Sequence, residues 1–322
     1  MKRNLVSILI VMVIFFLGTG CGNQQTNKEE SPFIVGVNQY MNHPMLDAVY
    51  NGFKERLSQQ KKYKLLLKIA NADHAMVLQI NNQFINDKVD LIAALGTPSA
   101  QSAVKLSKNI PVVFGAITDP VAAGLADTLE RPGGNKTGTT DRWPYEKQVS
   151  LIKRIKPDAK IVGTITNPGE DNCVAGMVYV RKAAKKFDLK LIEVPISNTS
   201  EILPAAKSLV GRVDIFFVSP SNTLVSGIGA LVKVASENNL LVVGGDKTTV
   251  KDGSLMSYGH DYYNIGKWTA EIVIQVLEDK KNPAEIAVIA PPEAALYYNE
   301  TLGKKMKVVL PDDLLKEISE KF

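Results

Sequence analysis

The feature that most limits the possible folds is a repeat inside the chain. "FIVGVNQYMNHPMLDAVYNGFKERL", starting at Phe33, reads as a strand, a loop and an amphipathic helix. "AKIVGTITNPGEDNCVAGMVYVRKAAKKF", starting at Ala159, reads the same way. Ile34-Val35-Gly36 is answered by Ile161-Val162-Gly163 at an offset of 127 residues, and Val89-Asp90 by Val213-Asp214 at an offset of 124. Two separate matches at nearly one spacing imply a duplicated unit. Within each copy strands alternate with helices, the pattern of a parallel sheet covered on both faces. The expected class is α/β, with two similar Rossmann-like lobes in tandem.

Ligands of open parallel sheets bind beyond the carboxyl ends of the strands. At those ends this chain places small, polar, turn-forming residues. In the first copy they occupy 39–44, 96–99 and 118–120; in the second, 167–170, 219–223 and 245–247. Each set leads into a helix, whose first amides favour a negative group. "LIAALGTPSA" shows the joint most clearly: an apolar strand, then Thr97 to cap a helix, Pro98 to open it, and free amides at Ser99 and Ala100. Two lobes facing one another across these loops would enclose a cleft.

The start of the chain reads as an export signal. Lys2 and Arg3 precede an apolar run over 5–17, too short for a stable membrane span, and Gly18-Thr19-Gly20 leads to Cys21. "LGTGC" resembles a bacterial lipobox with Gly18 where leucine is usual, which would make Cys21 the lipidated first residue of the mature protein. Residues 22–32 carry no large apolar side chain and read as a flexible tether. A lipidated Cys21 would fix the protein to the outer face of the cell membrane and leave Cys173 as the sole free thiol.

Other function classes find little support. The formal charge of +5 falls to +3 without Lys2 and Arg3, and no basic run or aromatic-interleaved stripe suggests nucleic acid. The three histidines, His43, His74 and His260, stand singly with no metal-ligand spacing. No serine sits in a G-x-S-x-G elbow, Cys173 has no evident histidine partner, and the glycine-rich turns match no phosphate fingerprint. The chain is expected to be neither an enzyme nor a holder of a cofactor or metal.

The sequence resembles the substrate-binding lipoproteins of ABC importers, in the branch associated with tryptophan and other aromatic amino acids. The carrying motifs, in order, are "NHPMLDAVYNGF", "GTPSAQS", "ITDPVAAGL", "RPGGNKTGTTD", "NPGEDN", "PSNTLVS" and "YGHDYYNIGKWTAEI". Asn42 stands where the family commonly has an acidic residue, and Thr139 where it has valine. The resemblance implies the type I periplasmic-binding-protein architecture, two lobes joined by three crossovers. Residues 33–140 and 252–286 would form lobe one, and 141–251 and 287–322 lobe two, with hinges near 139–141, 250–253 and 286–289. It also implies a monomer that closes on a small ligand and presents the closed form to a permease and its ATPase.

For an amino-acid ligand, the carboxylate would meet the amides of Ser99 and Ala100 with the hydroxyls of Thr97, Ser99 and Thr118. The ammonium needs a carboxylate acceptor. Asp246 ranks first, then Asp141 at the hinge and Glu170; Asp119 reads as a helix cap. Gln39, Asn167, Ser219, Asn222 and Thr223 would orient the ligand from loop positions. Tyr40, Trp143, Tyr145 and Tyr258 are the candidate aromatic walls, Trp143 foremost, whereas Trp268 sits at core spacing in a helix. Branched-chain ligands would accept the same apolar walls, and a sensory protein of this fold would share the cleft.

Overall fold

The structure, a computed structural model, describes residues 31–292 and 294–322. The readings of residues 1–30 as leader, lipidated Cys21 and tether lie outside them. The first layer runs β1 (Phe33–Gln39), α1 (Pro44–Ser58), β2 (Tyr63–Ile69), α2 (His74–Asn86), β3 (Leu91–Leu95), α3 (Thr97–Leu106), β4 (Val112–Ile117) and β5 (Lys136–Thr140). The second opens with α4 (Tyr145–Ile155), β6 (Ile161–Thr166), α5 (Asp171–Lys186), β7 (Lys190–Pro195) and α6 (Ile202–Leu209). It continues through β8 (Ile215–Val218), α7 (Asn222–Ser226), α8 (Ile228–Glu237), β9 (Val242–Gly244), α9 (Lys247–Lys251) and β10 (Met256–Gly259). The chain then returns to the first layer as α10 (Tyr262–Leu277). It ends on the second with β11 (Ala295–Tyr298), α11 (Glu300–Lys305), α12 (Asp312–Glu317) and β12 (Ile318–Lys321).

The repeat seen in the sequence is a repeat of topology. The five-stranded sheet has the order β2-β1-β3-β4-β5, all parallel, and β7-β6-β8-β9-β10 reproduces it within the seven-stranded sheet. Among the described residues, the one antiparallel pairing is that of β11 with β10. The matched Val-Asp pairs have a physical basis. Asp90 Oδ2 accepts from the Ile34 amide at 2.7 Å, and Asp214 Oδ2 accepts from Ile161 at 2.8 Å. Each carboxylate thus ties the entry of the third strand in its copy to the entry of the first. The central strands β3, β4 and β8 are buried along their whole length, which accounts for their unbroken apolar runs.

The return of α10 to the first layer is made by close packing of two helices. A Cβ on Gly52 of α1 would lie 1.9 Å from the Tyr263 carbonyl oxygen, and one on Gly266 of α10 would lie 1.9 Å from that of Val49. The backbones therefore meet where no side chain fits. The expected lobe boundary at residue 252 needs correction, because β10 hydrogen-bonds to β9 and β11 and belongs to the second sheet. The chain crosses back between Gly259 and Tyr262, after the strand. The first crossing leaves β5 at Thr140, where Thr140 N donates to Ile289 O at 3.0 Å, so the last crossing runs beside the first.

Candidate functional site

A small cavity of about 20 Å³ lies between the carboxyl ends of the two sheets. The first layer contributes His43, Met45 and Leu46 from the entry of α1, Thr97 from α3, and Ala116 and Thr118 from the end of β4. The first crossing supplies Asp141 and Trp143, and Tyr262 comes from the head of α10. Asn172 of α5 and Pro220, Ser221, Asn222 and Val225 around α7 form the opposite wall. Ala116 has φ 56°, left-handed for a residue with a side chain, where the β4–β5 register shifts between Phe114 and Ile117. Such strain is held by surrounding structure and gathers at functional sites.

Asp141 is the charged group of the lining. It is 7 % exposed, and its Oδ2 accepts from the Tyr262 hydroxyl at 2.7 Å. The same hydroxyl accepts from Trp143 Nε1 at 2.9 Å, so indole, phenol and carboxylate form one chain. Asp141 Oδ1 is buried without a donor. Burial raises the carboxyl's pKa above its ordinary value, opposed by the Tyr262 hydroxyl, the nearby His260 and the Thr118 hydroxyl. A buried acceptor of this kind is costly unless a donor reaches it.

The first amides of α3 provide the complementary charge. Gly96 holds φ +90°, and a Cβ there would stand 3.2 Å from Tyr40 Cβ. Gly96, not Thr97, is therefore the N-cap, and Thr97 sits in the first turn facing the cavity. The Thr97 and Ser99 amides precede any intrahelical acceptor and remain available. Ala100 N is already bonded to Gly96 O at 3.1 Å, which removes it from the expected donors. The Ser99 hydroxyl is also removed, since it donates to Asn38 Oδ1 inside the first layer.

His43 and Asn222 meet across the cavity. His43 Nδ1 accepts from the Leu46 amide at 3.4 Å, capping α1, so its Nε2 carries the proton and donates to Asn222 Oδ1 at 3.3 Å. Burial lowers the imidazole pKa to about 4. Asn222 Nδ2 in turn donates to Asn172 Oδ1 at 3.4 Å, while Asn172 Nδ2 is held by Pro220 O at 2.8 Å. Two more bonds join the layers outside the cavity: Gln101 Nε2 to Asp171 Oδ2 at 2.8 Å, and the Tyr179 hydroxyl to Asp119 Oδ2 at 3.2 Å. The cleft is closed.

Thr97, Thr118, Asp141, Trp143 and Asn222 of the expected residues line the cavity; the others do not. Asp246, the first choice for the ammonium, is wholly buried in a capping box with Thr249 and accepts from Thr248 as well. Glu170 accepts from the amides of Asn222 and Thr223 at 2.7 and 2.9 Å, so an internal carboxylate already fills the start of α7. Thr223 and Asn167 belong to that same cluster, and Ser219 donates to Ile165 O. Gln39 holds Met41 O and Asp47, and Tyr258 turns outward to Glu317 and Arg154. Tyr40 packs beneath the cavity against His74, and Tyr145 stacks on Tyr179. The residues missed were chiefly His43, Asn172 and Tyr262. The signal for Tyr262 was present in the motif "YGHDYY", since a helix head after a strand is where the other contacts lie.

Comparison with known proteins agrees with this geometry. A family model described as ABC transporter substrate binding protein matches residues 34–321. The chain is 35 % identical to a tyrosine-binding protein of Clostridioides difficile, over 95 % of this chain and 92 % of that protein. Among solved structures it resembles a Streptococcus ABC domain in complex with L-Trp, with TM-score 0.87 and 28 % identity, covering 91 % of this chain and all of that one. It resembles the ligand-free, open form of a Clostridium difficile substrate-binding protein with adhesive properties less closely in shape. There the TM-score is 0.67 at 31 % identity, over 89 % of this chain and 98 % of that one. The closer match to the ligand-bound structure accords with the closed cleft.

Proposed function

The chain belongs to the ABC transporter substrate-binding protein family, and we propose that it captures an aromatic L-amino acid outside the cytoplasm and delivers it to its permease. The observation that carries this reading is the donor-free Oδ1 of Asp141 in a closed cavity walled by Trp143. An α-ammonium supplies the missing donor and the compensating charge. The α-carboxylate then falls to the Thr97 amide at the head of α3, with the Thr97 and Thr118 hydroxyls beside it. Trp143 offers a flat face to the ligand's ring, and the names of the relatives, one tyrosine-binding and one in complex with L-Trp, point to the same ligand class.

Lipidation of Cys21 would keep the protein near the permease, and mass spectrometry of the membrane fraction with Cys21→Ala as control tests it. For the ligand, isothermal titration against the twenty amino acids is the direct test. Binding to tyrosine, tryptophan or phenylalanine is expected. Binding confined to sugars, nucleosides or metal ions would overturn the reading.

A further inference from the structure

The rim of the closed cleft carries a cluster that the cavity does not use. Asp119 follows β4, is 7 % exposed and lies outside the cavity lining. Its Oδ1 accepts from the Ala122 amide at 3.1 Å, a local cap. Its Oδ2 accepts from the Tyr179 hydroxyl at 3.2 Å and from the Arg142 guanidinium. Tyr179 stands on α5 of the second layer and Arg142 on the first crossing, with the guanidinium 5.0 Å from the Tyr179 ring centre. A nearly buried carboxylate on one layer is thus satisfied by donors on the other layer and on the hinge. Opening the cleft carries Tyr179 away with α5 and returns that oxygen to water.

We propose that the Asp119–Arg142–Tyr179 cluster is a closure latch that sets how long a captured ligand stays without touching it. The amino-acid reading enters only through the ligand used to test it. A contact made only in the closed form stabilises that form, so it slows release and leaves entry through the open cleft unchanged.

Two variants separate the latch from folding. Tyr179→Phe deletes the hydroxyl and keeps both the stack on Tyr145, with centroids 5.8 Å apart and 2° between planes, and the ring beneath Arg142. Asp119→Asn keeps an oxygen for the Ala122 cap and removes the charge that Arg142 pairs with. Stopped-flow tryptophan fluorescence with L-tyrosine should show release about tenfold faster in each variant, with association unchanged. Release at the wild-type rate in both overturns the latch. If the unaltered protein binds no aromatic amino acid, the ligand reading fails and small-angle scattering of the ligand-free proteins decides the latch instead. A larger radius of gyration in both variants supports it, and superimposable profiles overturn it.

Discussion

A carboxylate oxygen buried without a donor is tolerated when a ligand completes it, and Asp141 is placed for that role. Asp141→Asn keeps the shape and the Tyr262 contact but leaves an ammonium unpaired. It should weaken binding by about 2–5 kcal/mol in titration calorimetry. The des-amino analogue of the ligand should lose affinity for the unaltered protein and little more for the variant. His43 gives a pH signature. Its cap and its bond to Asn222 together require the neutral ring, and closure holds its pKa at about 4 against an ordinary value near 6.5. The closed form therefore binds fewer protons than an open form with an exposed ring. Affinity should be flat above about pH 7 and fall as pH drops from 6.5 towards 4, by at most about tenfold per unit. Asp141, whose pKa is raised, adds its own loss in the same direction at the acid end. His43→Asn retains a capping oxygen and should abolish the upper part of the decline; an unchanged profile would remove His43 from the account.

At the scale of elements, the duplicated copies have diverged in the use of one position. The head of α3 has no side-chain cap and places Thr97 at the cavity, whereas the corresponding head of α7 is closed by Glu170 from the neighbouring strand-end loop. Burial raises the Glu170 pKa above its ordinary value, opposed by these bonds. Glu170→Gln should lower stability by about 1–3 kcal/mol in urea unfolding, because an amide cannot serve all three donors as well as a carboxylate does. Its effect on affinity should be smaller than that of Asp141→Asn. The α1–α10 crossing depends on Gly52 and Gly266 in the same direct way. Gly266→Ala should reduce stability by about 1–3 kcal/mol despite the better helix propensity of alanine, read as a lower melting temperature.

For the whole molecule, ligand capture and closure are one equilibrium. A ligand present at a hundred times its Kd should stabilise the protein by about 2.7 kcal/mol, visible as a rise of roughly 3–6 °C in Tm by calorimetry. Asp141→Asn should abolish most of that rise at the same ligand concentration. The two-layer architecture was legible in the chain because a duplicated strand–helix pattern is written in local periodicity. Even the Val-Asp matches had a shared cause in the carboxylates that tie strand entries together. The boundary at 252 was not legible, because whether a short apolar strand such as 256–259 joins one sheet or the other depends on its neighbours in space.

The same division holds at the site. Sequence by itself determined the fold class and some of the residues that line the cavity, since these follow from hydrophobic period and turn chemistry. Which carboxylate meets the cavity was decided only by tertiary structure. Asp246, Glu170 and Asp141 all follow strands, and each is buried. The first two have their oxygens claimed by nearby hydroxyls and amides, and Asp141 keeps one free. Hydrogen-bond satisfaction is a property of what surrounds a group in three dimensions, and spacing along the chain does not carry it.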